Sequence, residues 1–166
     1  PDVNVLWDLA PHDISILTYL ITESPVSINA TGISHTRNNI ENIAYMTVNY
    51  NSDFIAHFNC SWTSPVKVRQ TLIGGDKKMI VYNDLEPSEK VRVYDTSYQH
   101  KTDDEKTTIM VDYRTGDVYI PKIQLSEALA GVANDFIQSI IHKTKPLANA
   151  HLGMQVVKIL EASQES

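Results

Sequence analysis

The chain has 166 residues, 42% of them hydrophobic and 20% charged, with a formal charge of -6 from 14 Lys+Arg against 20 Asp+Glu. That composition belongs to a folded domain and not to a disordered tail, and the length suits one ordinary domain over residues 1–166. The acidic balance gives no general attraction for phosphate backbones or anionic lipid, so nucleic acid and membranes are not expected partners.

A single cysteine, Cys60, rules out an internal disulfide and a Cys-based zinc site. The chain opens at Pro1 with no Met, no basic leader and no apolar stretch of spanning length. It therefore reads as a cytoplasmic protein and as a piece of something longer.

Val3–Trp7 has the apolar character of a short strand, and Asp8–His12 reads as a turn into a helix with Pro11 in its first turn. Ile14, Leu17, Tyr19, Leu20 and Ile21 supply that helix with an apolar face, and Ser24-Pro25 ends it. The middle of the chain alternates with period two. Phe54, Ala56, Phe58, Cys60 and Trp62 share one face of a strand, and Ile55, His57, Asn59 and Ser61 the other. Residues 26–34, 43–50, 66–73, 78–82, 91–95 and 107–112 also read as strands. Their connections are short, Gly74-Gly75-Asp76 being a hairpin turn, so the pairing is expected to be mostly antiparallel. Arg114–Asp117 reads as the turn of a late hairpin.

Helices close the chain. Ser126 is the expected N-cap of one whose Leu129, Val132, Phe136, Ile137, Ile140 and Ile141 form an apolar stripe, broken by Lys145-Pro146. Asn149 is expected to cap the last. Segregated strands and helices predict an α+β fold: a large open, mostly antiparallel sheet with helices on one face. The other face carries Ile and Tyr among polar residues, and is expected to be covered by another chain or domain.

The sharpest constellation is Asp8-x-x-x-His12 at the start of the first helix. One helical turn separates the two, so both can point at one locus. An imidazole titrates near neutrality and can take or give a proton. A carboxylate beside it fixes its tautomer, and a helix N-terminus favours the neutral form. Spacing alone leaves a plainer reading open, in which Asp8 caps the helix and His12 is an ordinary exposed residue. No metal is expected at Asp8, His12 and Asp13, with one His and no further ligand nearby. Cys60, between Phe58 and Trp62, reads as a buried structural thiol. Lys67 and Arg69 could hold an anionic group, or form a solvated face. No Gly-x-Gly-x-x-Gly follows a strand, so the chain carries no visible dinucleotide site.

Three stretches, in order and at their spacing, resemble a known family. They are Leu6-Trp7-Asp8-Leu9-Ala10-Pro11-His12-Asp13-Ile14, then Cys60-Ser61-Trp62-Thr63-Ser64-Pro65-Val66-Lys67-Val68-Arg69 running on to Ile73-Gly74-Gly75, and the closing helices to Glu161-Ala162-Ser163. The chain resembles the C-terminal domain of the glucose–fructose oxidoreductase / inositol dehydrogenase / MocA family of NAD(P)-dependent oxidoreductases. That domain is glyceraldehyde-3-phosphate-dehydrogenase-like.

The resemblance implies an enzyme that oxidises a hydroxyl of a sugar, sugar nucleotide or polyol. His12 is then the acid/base and Asp8 its orienting partner, with substrate contacts at Trp7, Asp13 and Arg69. NAD or NADP is implied to bind mainly to an N-terminal Rossmann domain absent from these residues, together with a Lys from a Glu-Lys-Pro motif. It also implies a homo-oligomer built through the open sheet face, and a fragment inactive by itself. Trp7 and Pro11 look most like members acting on nucleotide-linked or amino sugars. Val3 and Asn4 stand where many members have a Gly pair, and Ser15 where many have Asp. The rival reading is a non-catalytic dimerisation or sensor module derived from the same family.

Overall fold

The computed structural model describes residues 3–35, 39–95, 116–124 and 126–166. Asn4 sets where the first helix begins. Its backbone is extended (φ -84°, ψ 176°) and its side chain accepts the N–H of Trp7, so α1 runs over Val5–Leu20. Val5, one of the four N–H groups a helix start leaves unpaired, donates to the Glu41 carbonyl at 3.0 Å. The expected strand over Val3–Trp7 is therefore helix. A short apolar run fits either period, and here capping plus burial of Val5 and Leu6 decide for the helix. Pro11 consequently lies inside α1 and not in its first turn. Its missing N–H leaves the Trp7 carbonyl without the usual helical partner.

Seven strands follow: β1 (Ser27–Ile33), β2 (Ile43–Asn49), β3 (Ile55–Ser61), β4 (Gln70–Gly74), β5 (Lys78–Asn83), β6 (Val91–Asp95) and β7 (Val118–Tyr119). Then come α2 (Ala128–His142) and α3 (Ala150–Glu165). The fold is α+β, with every strand pair antiparallel. The strands form two sheets, β1-β2-β3 and β4-β5-β6-β7, where one large sheet was expected. The chain accordingly divides into two compact units. One holds the residues up to Pro65 together with those from Ala128 onward; the other is Val66–Glu127.

In the first unit, α1 and α3 pack on one face of the three-stranded sheet. Alternation builds the core. Register places Ile28 opposite Val48, Ala30 opposite Met46, Met46 opposite Phe58 and Ala44 opposite Cys60, all on the helix side. Val5, Ile14, Met46, Val48 and Leu160 are the largest fully buried side chains. The expected division of β3 into two faces holds. Tyr45, Ile55, His57 and Asn59 lie exposed on the far side, where Thr47 Oγ1 and His57 Nδ1 are 3.0 Å apart.

In the second unit, Gly74-Gly75 turns β4 into β5 as expected, with Gly75 N–H on the Lys78 carbonyl at 2.9 Å. The strand expected over 66–73 is only Gln70–Gly74. Val66 and Val68 alternate with Lys67 and Arg69, but they are exposed and belong to no strand, and alternation alone does not make one. β7 pairs antiparallel with β6; the strand expected over 107–112 and the start of the turn expected at Arg114–Asp117 lie outside the described residues.

At the C-terminal end, Asn149 caps α3 as expected, accepting from His151 N–H and Leu152 N–H. α2 begins at Ala128, two residues past Ser126, which is therefore not its cap. The α2 stripe is exposed, Leu129 at 75% and Phe136 at 61%. No described helix is long and apolar enough to cross a membrane.

Candidate active site

α1 carries the candidate pair. Asp8 and His12 are four residues apart, so they sit about 40° apart around the helix and about 6 Å along it. Both are exposed. The core side of α1, formed by Leu6, Ala10, Ile14 and Leu17, faces away from them. Helical side chains lean toward the N-terminus, which tips the His12 ring over the turn bearing Asp8. His12 is the eighth residue of α1, beyond its first turn and not at its N-terminus.

No hydrogen bond joins Asp8 to His12 among the described residues. The partner of Asp8 is Trp62, whose indole N–H donates to Asp8 Oδ2 at 2.8 Å. Trp62 follows β3 directly and its ring packs against the core. Its backbone N–H donates to the carbonyl of Asn42, which is buried and in turn donates its own N–H to Ile33. Sequence reasoning placed Trp62 on the apolar side of β3 and missed this contact. Trp62 is half-buried and its bond to Asp8 is exposed, and spacing gives no hint that the acceptor lies 54 positions away.

The other expected site residues fall elsewhere. Trp7 is half-buried and packs against the core. Its indole N–H is buried with no hydrogen-bond partner. It lines a hollow of about 400 Å³ with Asn4, Asn39, Glu41 and Gln164. Asp13 is half-buried on a different side of α1 from Asp8, and its charge reaches Cys60. Burial, reinforced by that charge, pushes the Cys60 thiol up to about 11, so it stays protonated at neutral pH and has no nucleophilic character.

Arg69 belongs to the second unit, where its Nε is 3.5 Å from Asp84. Asp84 also accepts from Lys90 Nζ at 3.0 Å and Tyr82 Oη at 2.8 Å. These two hydrogen bonds hold the Asp84 carboxyl below its usual range. Lys67, Arg69, Gln70, Asn83 and Glu86 border a hollow of about 310 Å³. Among the described residues, no three His, Cys, Asp or Glu side chains gather to hold a metal ion.

An imidazole and a carboxylate on one exposed helix face can move a proton at a bound hydroxyl. Residues 2–81 match the GFO/IDH/MocA C-terminal domain family. Searching curated proteins yields no match. Among solved structures, UDP-N-acetylglucosamine 3-dehydrogenase GnnA from Acidithiobacillus ferrooxidans is similar at TM-score 0.77 and 18% identity, covering 98% of this chain and 46% of its own. Aldose-aldose oxidoreductase from Caulobacter crescentus, complexed with glycerol, gives 0.70 and 15%, covering 98% and 46%. The WlbA dehydrogenase from Bordetella pertussis, in complex with NADH and UDP-GlcNAcA, gives 0.64 and 13%, covering 99% and 43%. The chain thus spans less than half the length of each. Fold likeness runs across nearly all its residues, and the match to the GFO/IDH/MocA C-terminal domain, over residues 2–81, takes in the helix bearing Asp8 and His12 and the segment bearing Trp62.

Proposed function

We propose that this chain is the substrate-side and catalytic-base domain of an NAD(P)-dependent oxidoreductase acting on a hydroxyl of a sugar, sugar nucleotide or polyol. The carrying observation is the shared exposed face of Asp8 and His12 on a helix whose opposite face is buried. Oxidation of a carbinol releases a hydroxyl proton, and His12 takes it. Asp8 orients the imidazole and offsets the charge it gains. The likeness to a UDP-N-acetylglucosamine dehydrogenase and an aldose oxidoreductase supports the substrate class.

The dinucleotide does not fit the described residues. The pyrophosphate of such a cofactor needs a glycine turn leading from a strand into a helix N-terminus. Gly74-Gly75 leads from strand to strand, and Gly131 and Gly153 lie inside helices. We assign NAD or NADP to an N-terminal domain joined to this chain, and the two compact units to one substrate-side domain working with it. Oligomer formation is assigned to the open sheet face around Tyr45, His57 and Asn59, which pairs with a second copy about a two-fold axis. Sedimentation equilibrium of the complete polypeptide is expected to give a dimer or larger; a monomer at high concentration refutes that pairing.

The test of function is turnover. The complete polypeptide, supplied with NAD(P) and a panel of sugars, sugar nucleotides and polyols, reduces the cofactor, and the 166-residue chain alone does not. Turnover by the chain alone, or none by the complete polypeptide across the panel, overturns the proposal.

A further inference from the structure

Asp8 makes its hydrogen bond not with His12 but with a residue 54 positions away, and the geometry of that contact carries a role. Resting on the reading of His12 as the base, we infer that Trp62 is a positioning residue: its indole N–H fixes one oxygen of Asp8 and reserves the other for His12. An unrestrained surface Asp samples several side-chain rotamers, and in most of them its carboxylate is not presented to the next turn. At 2.8 Å, the Trp62 donor removes that freedom by holding Oδ2. Oδ1 has no partner among the described residues.

The donor is itself well anchored. Trp62 N–H bonds the Asn42 carbonyl at 3.0 Å, and Asn42 is buried between the ends of β1 and β2. The Trp62 ring packs against the cluster that buries Val5, Leu6 and Cys60. An indole also suits the task chemically. It has one donor and no acceptor, so it cannot exchange roles with the carboxylate or compete with His12 as a base. Its position on the strand side of α1 ties the pair to the sheet as well as to the helix.

The test is a double-mutant cycle in the complete polypeptide. Trp62→Phe keeps an aromatic ring and removes the donor. It is expected to lower kcat about tenfold, the rate equivalent of one charge-assisted hydrogen bond, with KM little changed. In an Asp8→Ala background, which removes the acceptor, the same change is expected to cost nothing further, because Trp62 acts only through Asp8. Equal losses in both backgrounds, or an undiminished kcat in Trp62→Phe, overturn the inference. Circular dichroism melts confirm folding; where Trp62→Phe does not fold, Trp62→Tyr, with its donor displaced, is read in the same cycle. His12→Asn distinguishes this failure from failure of the base assignment. If His12→Asn keeps full turnover, the assignment itself is wrong; if it does not, additive Trp62 effects refute positioning alone.

Discussion

His12→Asn in the complete polypeptide is expected to lower kcat roughly 100- to 10,000-fold, the range that one positioned acid/base contributes, and to leave cofactor affinity unchanged. The side chain is exposed on α1, away from the buried Leu6, Ala10, Ile14 and Leu17, so stability moves by no more than about 0.5 kcal/mol. Asn holds a similar volume and can still hydrogen-bond a substrate hydroxyl, but it cannot take its proton. The expected signature is thus a fall in kcat with a modest change in KM. Steady-state kinetics and a fluorescence titration of NAD(P)H read the two quantities separately. Turnover within twofold of the parent would favour the interaction-module reading, in which the pair is a surface feature.

Ile14→Ala carries the largest expected effect on stability. Ile14 is fully buried on the core side of α1, in the cluster that holds Met46, Phe58 and Leu160. Truncation removes three carbons from a close-packed site and leaves a cavity, at a cost of about 2–5 kcal/mol. Urea unfolding followed by circular dichroism is expected to show a lower midpoint with an unchanged slope. A loss below about 1 kcal/mol would show that α1 is not held by this cluster. The residue is also two positions from His12 in sequence and on the opposite side of the helix. Destabilising it therefore loosens the platform without touching the reacting face.

Much of the first unit was legible because its signals are local. β3 shows its two faces in the order Ile55 to Ser61, and Asn149 announces α3 as the residue before an apolar-periodic run. The start of α1 was not legible, because Val3–Trp7 fits both a strand and a helix. What resolves it is long-range: Val5 on the Glu41 carbonyl and Leu6 in the core. The break at Val66 was hidden for the same reason. Val66-Lys67-Val68-Arg69 has the pattern of a strand, and only the absence of a neighbouring ladder exposes it as a connection.

At the candidate site the motif residues were visible and their support was not. Asp8 and His12 stand out by spacing. Trp62 was assigned to core packing, which is only one of its contacts, because a side chain's donor leaves no periodic trace. Arg69 was picked out for its charge, and in the structure that charge is matched within its own unit by Asp84. Charge type can be read from a sequence; its compensation by a carboxylate fifteen positions on cannot.

Pro11 falls between the two members of the pair, and the rung it deletes from the helical ladder is the one that would brace the Trp7 peptide just before Asp8. The distance from carboxylate to imidazole is therefore not guaranteed by the helix's own scaffolding. Three contacts moor the first turn: the N-cap Asn4 on Trp7, Glu41 on Val5 and Trp62 on Asp8. Slackening any of them would let the front of the helix pivot at the proline and drift from the segment that carries His12.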